Sequence, residues 1–510
     1  MSAADELPPS DRIAARVLPV VALLFHLSTV QRYGIFRDEL YYVACGRHLG
    51  FGYVDHPPLV ALVAALADAL PGASLFTLRL LPALFGAATA WTCARLAREL
   101  GGGAYAQRLA AVCAMLGGNA LFVFQVLSMN AFDHLAWTLG WLCAARALRT
   151  GSQRAWLAFG LVAGLGLENK ISILFLGFGL FVGIVLARRD VLARRGAWLG
   201  ALIAGLLFLP HVLWQVANGF PTREFIHNAQ AEKMVALAPA LFVVRAGLEG
   251  GAASIPLALT GVIGLLAAKR WRALRALGLA FLAVLALLAF SDSKPYYAAP
   301  AFGLAFAAGA GTLEGFGTAR LARVVRAAAA VLVVAGGLAL APFAKPLLSE
   351  DAYVRYAAAL GVAPAAAERH ELGRLPQHFA DMHGWPELAH AVAAVVATLP
   401  PEERERARIF GQNYGEAGAI DWFGPALGLP PALSAHNSYF LWGPGDWTGE
   451  LLIVIDDERE RLLELFEEVE RAGTTDCTDC MPYEDDLPIW ICRRLRMPVS
   501  ELWPRIRHFI

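Results

Sequence analysis

Arg37-Asp38-Glu39-Leu40-Tyr41-Tyr42, followed by Gly52-Tyr53-Val54-Asp55-His56-Pro57-Pro58, places acids, aromatic rings and a histidine between two apolar segments of the chain. Charge beside a lipid bilayer is costly and is seldom kept there without a function. We therefore expect this stretch to follow the first membrane helix directly. An acidic pair in that position indicates a functional site at the membrane surface.

The remainder of the chain has the composition of a membrane protein. Of its 510 residues, 57% are hydrophobic and only 17% are charged, which excludes an ordinary soluble enzyme. The formal net charge is zero, so overall charge indicates no particular partner, and we expect no nucleic-acid partner. Membrane lipids are the expected surroundings.

Basic clusters alternate with loops that are rich in acids, histidines and aromatics. The positive-inside rule assigns the basic clusters to the cytoplasm and the alternate loops to the outer side. This alternation predicts eleven spans, at residues 16–33, 77–95, 108–127, 131–148, 155–168, 171–187, 197–216, 247–268, 274–290, 296–315 and 326–343. Several runs are shorter than the about 20 residues that a span needs, so the count is approximate. The N-terminus is then cytoplasmic and the C-terminus extracytoplasmic, in a multi-pass membrane protein.

Two domains follow from this pattern. The first, at 1–343, is a transmembrane domain that includes a first outer loop at 34–76. Within that loop, residues 59–70 are apolar but too short to cross, and we interpret them as an interfacial helix. The second domain, at 344–510, has no spanning run and lies outside the membrane.

The outer domain alternates between strand and helix patterns. Strand candidates occur at 408–411, 451–456 and 487–492, and helical spacing of apolar residues extends from Glu458 to Ala472. Such alternation predicts a small α/β domain. The expected fold is thus a polytopic α-helical membrane protein with a C-terminal extracytoplasmic α/β domain.

Asp38 and Glu39 are adjacent and therefore point in different directions. One acid could act as a base while the other orients the substrate or supports the structure. The alternative is that Asp38 caps a helix from Glu39 to His48, which is a common use of aspartate at such a position. The spacing favours neither interpretation.

Asp55 and His56 end the same loop, where two prolines stiffen the chain and hold them at the membrane surface. His56 could bind a phosphate oxygen or a metal, although a lone histidine is more often a structural hydrogen-bonding residue. A divalent metal could bridge phosphate and Asp55 or His56, but the sequence requires no cofactor.

Three of the seven cysteines, Cys477, Cys480 and Cys492, lie in the outer domain, where one disulfide is permitted. Cys477-Thr-Asp-Cys480 has the spacing of a metal knuckle. No second pair follows it, so a zinc site is the less favoured interpretation.

Other polar residues recur in the predicted outer loops and converge on one outer cavity if the topology is right. Cations there suit an anionic phosphate, and carboxylates suit a hydroxyl nucleophile or a sugar. These groups are Asn130/Asp133/His134, Glu168/Asn169/Lys170, Arg223/Glu224, Arg245/Glu249 and Ser291/Asp292/Lys294/Tyr296/Tyr297.

The first-loop motif resembles the bacterial glycosyltransferase family 39 group, membrane enzymes of the GT-C fold related to protein O-mannosyltransferases and to the aminoarabinose transferase of lipid A. The resemblance continues through further motifs: Ser128-Met-Asn-Ala-Phe-Asp133, Glu168-Asn-Lys170, Lys294-Pro-Tyr-Tyr297, Gln412-Asn-Tyr-Gly-Glu-Ala-Gly418 and His436-Asn-Ser-Tyr439. It therefore extends over nearly the whole chain.

The resemblance implies a polyprenyl-phosphate sugar donor and inverting transfer on the outer face to an acceptor hydroxyl or phosphate group. Asp38 matches the family's general base, and Glu39 completes the acidic pair. His56, Lys170 and Lys294 are the expected donor-phosphate ligands. Expected substrate-binding residues are Tyr42, Asp55, Asp133, Tyr296 and Tyr297.

Two other functions are consistent with the residues. A transporter or flippase of lipid-linked sugars would typically show an internal repeat and broken helices, and no repeat is visible here. A scaffold that binds envelope glycans would not need the Asp38/Glu39 pair. The acceptor stays open among glycolipid, glycan and protein, and the outer-domain residues expected to hold it are Asn413, Tyr414, Glu416, His436, Asn437 and Tyr439.

Overall fold

The computed structural model describes residues 7–70, 74–234, 237–317, 319–364 and 371–510. Residues 71–73 of the predicted first outer loop lie outside these ranges. The α-helices of the described residues are α1 Leu18–Leu27, α2 Arg37–Arg47, α3 Leu59–Asp68, α4 Leu75–Glu99, α5 Ala104–Leu116, α6 Gly118–Val123, α7 Met129–Thr150, α8 Gln153–Leu167, α9 Ile173–Ala187, α10 Arg195–Ala217, α11 Pro221–Glu232, α12 Pro239–Gly251, α13 Ile255–Ala267, α14 Arg275–Ala289, α15 Phe302–Glu314, α16 Arg320–Leu340, α17 Glu350–Ala359, α18 Gln377–Ala380, α19 Trp385–Thr398, α20 Pro401–Arg406, α21 Tyr414–Phe423, α22 Ser438–Trp442, α23 Arg459–Leu465 and α24 Val499–Leu502. The strands are β1 Arg408–Phe410, β2 Ala432–Leu433, β3 Leu451–Ile455, β4 Phe466–Thr474 and β5 Pro488–Leu495.

Within the described residues, five helical stretches are long and apolar enough to cross a bilayer: Leu75–Glu99, Arg195–Ala217, Pro239–Ala267, Lys269–Ala289 and Arg320–Phe343. Their length and composition agree with a multi-pass membrane protein. The count of eleven spans stays a prediction, because the other apolar helices are shorter.

Two predicted spans are not continuous α-helices. Residues 108–127 divide into α5 and α6 because Gly117 between them has an extended backbone. Residues 296–315 begin as a 3₁₀ helix, Pro295–Ala301, before α15 starts at Phe302. Pro300 lies inside this 3₁₀ stretch and lacks the amide hydrogen that an α-helix would use there.

The chain forms two compact units. One, the helical unit, comprises Met1–Val30, Phe76–Trp214 and Val235–Leu347. The other, the mixed unit, comprises Gln31–Leu75, Gln215–Met234 and Leu348–Ile510. The first-loop residues therefore form one compact unit with the C-terminal residues.

The mixed unit contains a five-stranded sheet in the order β2-β1-β3-β5-β4. β1 is parallel to both β2 and β3, whereas β5 is antiparallel to β3 and to β4. Every residue of β3 is buried, as expected for the central strand of a sheet covered on both faces. The three strands expected from the sequence are present.

The prediction of one helix from Glu458 to Ala472 is wrong in its second half. Helix α23 ends at Leu465, and the chain continues directly as β4. Phe466 and Val469 lie opposite Leu495 and Cys492 of β5. This pairing is distant in sequence, so local helical spacing could not reveal it. The charged residues of β4 suit the edge of a sheet.

Two glycines let α2 pack closely between α3 and α21. A Cβ added at Gly46 would lie 2.7 Å from the Ala65 nitrogen of α3. A Cβ added at Gly418 would lie 2.8 Å from the Leu40 Cβ of α2. The Gly418 of the Gln412–Gly418 motif therefore brings α21 against the first-loop helix, and this contact positions the site described next.

Candidate active site

Helix α2 begins with the acidic pair, and its two acids have different surroundings. Glu39 is fully buried, and its Oε2 accepts a hydrogen bond from the Phe36 amide at 2.9 Å. Glu39 thus satisfies a backbone donor that the helix start would otherwise leave unpaired. Asp38 lies in the same turn and is partly exposed. The prediction that Asp38 caps this helix is wrong, since the side chain that performs this role is Glu39.

Asp38 is held by a tyrosine from the C-terminal part of the mixed unit. The Tyr414 hydroxyl donates to Asp38 Oδ1 at 2.9 Å. The Tyr414 ring stacks on Tyr41 at 4.6 Å between ring centroids, and the Arg37 guanidinium lies 5.6 Å from the Tyr414 centroid. The position of this carboxylate is therefore set by aromatic packing as well as by a hydrogen bond.

The motif around Tyr414 has a local structural explanation. Asn413 caps α21, because its Oδ1 accepts from the amides of Gly415 at 2.7 Å and Glu416 at 3.1 Å. Gly415 leaves room for the Arg37 side chain and for Trp385, since an added Cβ would lie 2.8 Å from each. The start of α21 is thereby fixed against the start of α2.

Asp55 belongs to a second hydrogen-bonded group beside Tyr41. The Tyr41 hydroxyl is 2.7 Å from Asp55 Oδ1 and 2.8 Å from Ser438 Oγ. A carboxylate only accepts, so the Tyr41 hydroxyl donates to Asp55 and accepts from Ser438. Burial, with the nearby Asp55 charge, raises the pKa of Tyr41 well above its ordinary value, which keeps this phenol protonated.

His56 is placed differently from the expectation of a phosphate ligand. It is 1% exposed, and the rings of Tyr53, Tyr42 and Tyr41 surround it at centroid distances of 4.6, 5.2 and 5.8 Å. Its Nδ1 lies 2.8 Å from the Pro57 carbonyl oxygen, so Nδ1 carries the proton and donates. Burial lowers the pKa of His56, which favours the neutral ring. This arrangement favours a positioning role over a cationic contact with phosphate.

A pair of buried acids lies next to Arg37 and Asn413. Asn413 Nδ2 donates to Glu416 Oε1 at 2.6 Å and to Glu484 Oε1 at 3.1 Å. Burial raises the pKa of both glutamates, and their proximity adds to the effect on Glu416. No sequence pattern indicates Glu484, which follows the cysteine-containing loop and contacts Asn413 only in the folded chain.

Most outer-domain residues expected to hold an acceptor connect loops instead. The Asn437 side chain exchanges two hydrogen bonds with the backbone of Ile510, each at 3.0 Å. His436 Nδ1 accepts from the Tyr414 amide at 3.1 Å, and Glu416 accepts from the Gln412 amide at 2.8 Å. Tyr439 differs, because it lines a cavity described below.

In the helical unit, Lys170 is bordered by the expected tyrosines. Its ammonium donates to Asn130 Oδ1 at 2.6 Å and lies 4.8 Å from the Tyr297 ring centroid and 5.6 Å from that of Tyr296. Lys294 directly precedes the 3₁₀ helix that carries both tyrosines. The structure therefore groups Lys170, Tyr296 and Tyr297, three of the residues that the sequence selected.

Asp133 is in the same unit but is buried, with 1% exposure. Its Oδ1 accepts from the Ser172 hydroxyl at 2.5 Å, and Ser172 in turn accepts from the Trp137 indole at 3.3 Å. These contacts connect α7 with the start of α9. They give Asp133 a structural role in addition to the predicted contact with substrate.

Among the described residues, no group of three or more histidines, cysteines, aspartates or glutamates has the geometry to hold a metal ion. Cys477 and Cys480 are joined in a disulfide, and Cys492 is free and buried. Disulfide-bonded sulfurs are not available as thiolate ligands, so this pairing favours the disulfide over the zinc site.

Comparison with known proteins assigns the fold. Residues 55–214 match the family model described as dolichyl-phosphate-mannose-protein mannosyltransferase. The structure of ArnT from Cupriavidus metallidurans bound to undecaprenyl phosphate superposes with a TM-score of 0.62 and 14% identity over 93% of this chain and 97% of ArnT. The match over this part of the chain and the similarity to ArnT agree with the predicted GT-C fold.

Two further GT-C structures are similar to this chain. The apo form of the same ArnT has a TM-score of 0.61 at 15% identity, over 93% of this chain and 97% of ArnT. Arabinofuranosyltransferase AftD from Mycobacteria has a TM-score of 0.50 at 16% identity, over 95% of this chain and 42% of AftD. None of the curated protein sequences matches the chain. At these identities the structural likeness shows the fold alone.

Proposed function

We propose that this GT-C protein transfers a sugar from a polyprenyl-phosphate donor to a hydroxyl or phosphate group of an acceptor on the extracytoplasmic face of the cytoplasmic membrane. The observation that carries the proposal is the placement of Asp38, a partly exposed carboxylate that accepts a hydrogen bond from Tyr414 at the start of α2. The matched family and ArnT, whose structure holds undecaprenyl phosphate, support the donor class.

Asp38 is the proposed general base. A sugar hydroxyl is a poor nucleophile at neutral pH, so a positioned carboxylate must take its proton as the attack proceeds. Of the acidic pair, Glu39 is buried and bonded to the Phe36 amide, which leaves the partly exposed Asp38 as the acid for this task.

The leaving group is a lipid phosphate, which is stabilised by cations and not by an acid. Lys170 and Lys294 are the proposed cations. The Tyr296 and Tyr297 rings border the Lys170 ammonium, which orients this charge without neutralising it. In-line attack on the anomeric carbon breaks its bond to the phosphate oxygen, gives the electron pair to that oxygen and inverts the anomeric centre.

His56 and Asp55 are proposed to support Asp38 and the substrate. Neutral His56 packs among three tyrosines, and Tyr41 joins Asp55 and Ser438 in one hydrogen-bonded group. A bound divalent metal is not needed for this arrangement.

The test is sugar transfer in membranes that contain the full chain and a radiolabelled polyprenyl-phosphate sugar. We expect wild type to move label into a new product and Asp38→Asn to be slower by about 10²- to 10⁴-fold, the usual effect of removing a general base. Asp446→Asn is the matched control, because Asp446 is an exposed acid of the same unit whose partner is Arg408.

Equal transfer by wild type and Asp38→Asn would remove Asp38 from the mechanism. Movement of intact donor across the membrane without any new product would instead support a transporter.

A further inference from the structure

The C-terminal end of α2 lines a cavity of about 360 Å³ that lies wholly within the mixed unit. Its walls come from the last turn of α2, from α21, from the proline-containing segment 425–433 and from the segment 439–445. This volume is within the range of small-molecule sites, which combine apolar walls with a few convergent polar groups.

The polar part of the wall is the half-buried carboxylate of Asp421. Asp421 Oδ1 accepts from the Ala432 amide at 2.9 Å, and Oδ2 accepts from the Tyr439 hydroxyl at 2.6 Å. A carboxylate offers about four acceptor positions, so Asp421 can accept further hydrogen bonds from a ligand. Burial raises the pKa of Asp421, as expected for a carboxyl group away from bulk water.

The basic residues at the cavity carry no surplus positive charge. The Arg47 guanidinium pairs with Asp68 through hydrogen bonds of 2.9 and 3.3 Å and also donates to the Asp421 carbonyl at 2.9 Å. Burial lowers the pKa of His48, which favours its neutral form. An anionic ligand would therefore meet a carboxylate without an uncompensated cation.

A wholly apolar ligand fits no better. It would remove water from Asp421 and from the Tyr439 hydroxyl without replacing the hydrogen bonds, which is unfavourable. A neutral ligand with several hydroxyl groups satisfies these atoms and avoids charge repulsion.

The aromatic wall suits the same ligand. The Trp442 indole stacks with His48 at 4.2 Å between centroids and meets the Tyr439 ring at 4.6 Å. Rings of this kind offer an apolar surface together with a polar edge. Sugars combine hydroxyl groups with apolar C–H faces, so they match both parts of the cavity.

Helix α2 sets the distance from this cavity to the proposed base. Asp38 is the second residue of α2 and Arg47 is the last. Nine residues at about 1.5 Å each give about 14 Å along the helix axis. A ligand that reaches both ends of α2 is longer than one sugar ring.

From these observations we infer that the cavity at the C-terminal end of α2 binds a neutral sugar unit of an oligosaccharide acceptor. That the bound sugar belongs to an acceptor rests on the proposed transferase function. That the cavity binds a sugar rests on the cavity alone. The acceptor class is then a glycan or the glycan part of a glycolipid, and not a peptide.

The inference is tested by saturation-transfer NMR on the purified full chain in detergent, with mannotriose, cellotriose and chitotriose as probes. We expect at least one trisaccharide to bind. Tyr439→Phe removes the hydroxyl that reaches Asp421, and His48→Ala removes the ring stacked on Trp442. Each is expected to weaken binding at least tenfold. His227→Ala changes an exposed histidine of α11 away from the cavity and is the matched control.

Inorganic phosphate and hexaproline serve as probes of the competing ligand classes. Binding of either one at this cavity, no binding of any trisaccharide, or binding that Tyr439→Phe and His48→Ala leave unchanged would each overturn the inference. His48→Ala keeps the test valid if Tyr439→Phe fails to fold, because His48 is exposed.

Asp38→Asn separates the two proposals. It is expected to bind the trisaccharide like wild type while losing transfer. If no donor supports transfer but trisaccharide binding still depends on Tyr439 and His48, the sugar site holds and the transferase proposal fails.

Discussion

The first and last turns of α2 carry opposite charges, and their partners differ in kind. At the first turn, the partly exposed Asp38 accepts from a neutral tyrosine, Tyr414. At the last turn, Arg47 is paired with the carboxylate of Asp68. Both placements stabilise the helix through its dipole, so the sign of the charge alone does not reveal function. The partners of the two residues differ: Asp38 accepts from a hydroxyl group, and Arg47 pairs with a carboxylate.

The largest effect is expected from a substitution that displaces α2 as a whole, because both ends of the helix then move. Gly418→Val puts side-chain atoms where the added Cβ alone would lie 2.8 Å from Leu40 Cβ. Overpacking of this kind costs about 1–3 kcal/mol. We expect transfer and trisaccharide binding to fall together, with a lower unfolding temperature by differential scanning fluorimetry.

Gly177→Val is the control for a valine in a helix, since nothing lies within 4 Å of a Cβ added there. If Gly418→Val lowered transfer but left trisaccharide binding intact, the two ends of α2 would not depend on the same packing.

Tyr414→Phe changes the first turn of α2 only and should leave the last turn as it is. It removes the hydroxyl that donates to Asp38 and keeps the ring that stacks on Tyr41. Losing a hydrogen bond to the charged form makes the carboxylate harder to ionise. We expect kcat to fall about tenfold, equivalent to about 1.4 kcal/mol, and the acid limb of the pH–rate profile to move to higher pH.

Trisaccharide binding by Tyr414→Phe should equal that of wild type. A fall in kcat without any movement of the acid limb would show that Tyr414 supports the fold and does not position Asp38.

Glu484→Gln tests the buried acids next to the first turn. Burial raises the folded-state pKa of Glu484 above its ordinary 4.5, although the Arg37 charge opposes this shift. The folded state therefore favours the protonated acid. Its contribution to stability is complete below pH 4.5 and is lost as the pH rises towards the raised value.

Glutamine stays neutral, so Glu484→Gln should lessen the fall in unfolding temperature between pH 5 and pH 8. The exposed Glu402→Gln should change nothing. An unaltered pH profile for Glu484→Gln would mean that this carboxyl is already ionised in the folded protein.

Arg47→Gln is the smallest expected change in stability. The Arg47 side chain is 39% exposed and that of Asp68 is 20% exposed, and ion pairs of this kind contribute less than about 1 kcal/mol. Trisaccharide binding should weaken about threefold, or about 0.7 kcal/mol, because a donor at the cavity edge is lost. An increase in binding of inorganic phosphate would contradict the view that Asp68 and Asp421 set the charge of the cavity.

The sequence was sufficient for features that depend on neighbouring residues. Apolar runs predicted most helices of the helical unit, and strand patterns predicted β1, β3 and β5. The first-loop motif led to the predicted GT-C resemblance, and residues 55–214 match the model of a mannosyltransferase family. The sequence Arg37-Asp38-Glu39 did not show which acid caps α2, because Asp38 and Glu39 both have suitable side chains.

Contacts between distant segments could not be predicted from the sequence. Tyr414 and Asp38 are 376 positions apart, and nothing local to either residue indicates the other. The same holds for β4, which replaces the second half of the predicted helix Glu458–Ala472 and is held as a strand by its pairing with β5. The lowered pKa of His56 follows from burial among three tyrosine rings that no spacing rule could assemble.

The mixed unit is assembled from three stretches of chain that are separated by membrane helices. During synthesis Asp38 emerges early, and the tyrosine that holds it follows 376 positions later. At about 5–20 residues per second, that delay is about 20 to 75 seconds. Under the proposed function, the chain therefore gains transfer activity only near the end of its synthesis, and a fragment that ends before Tyr414 is inactive.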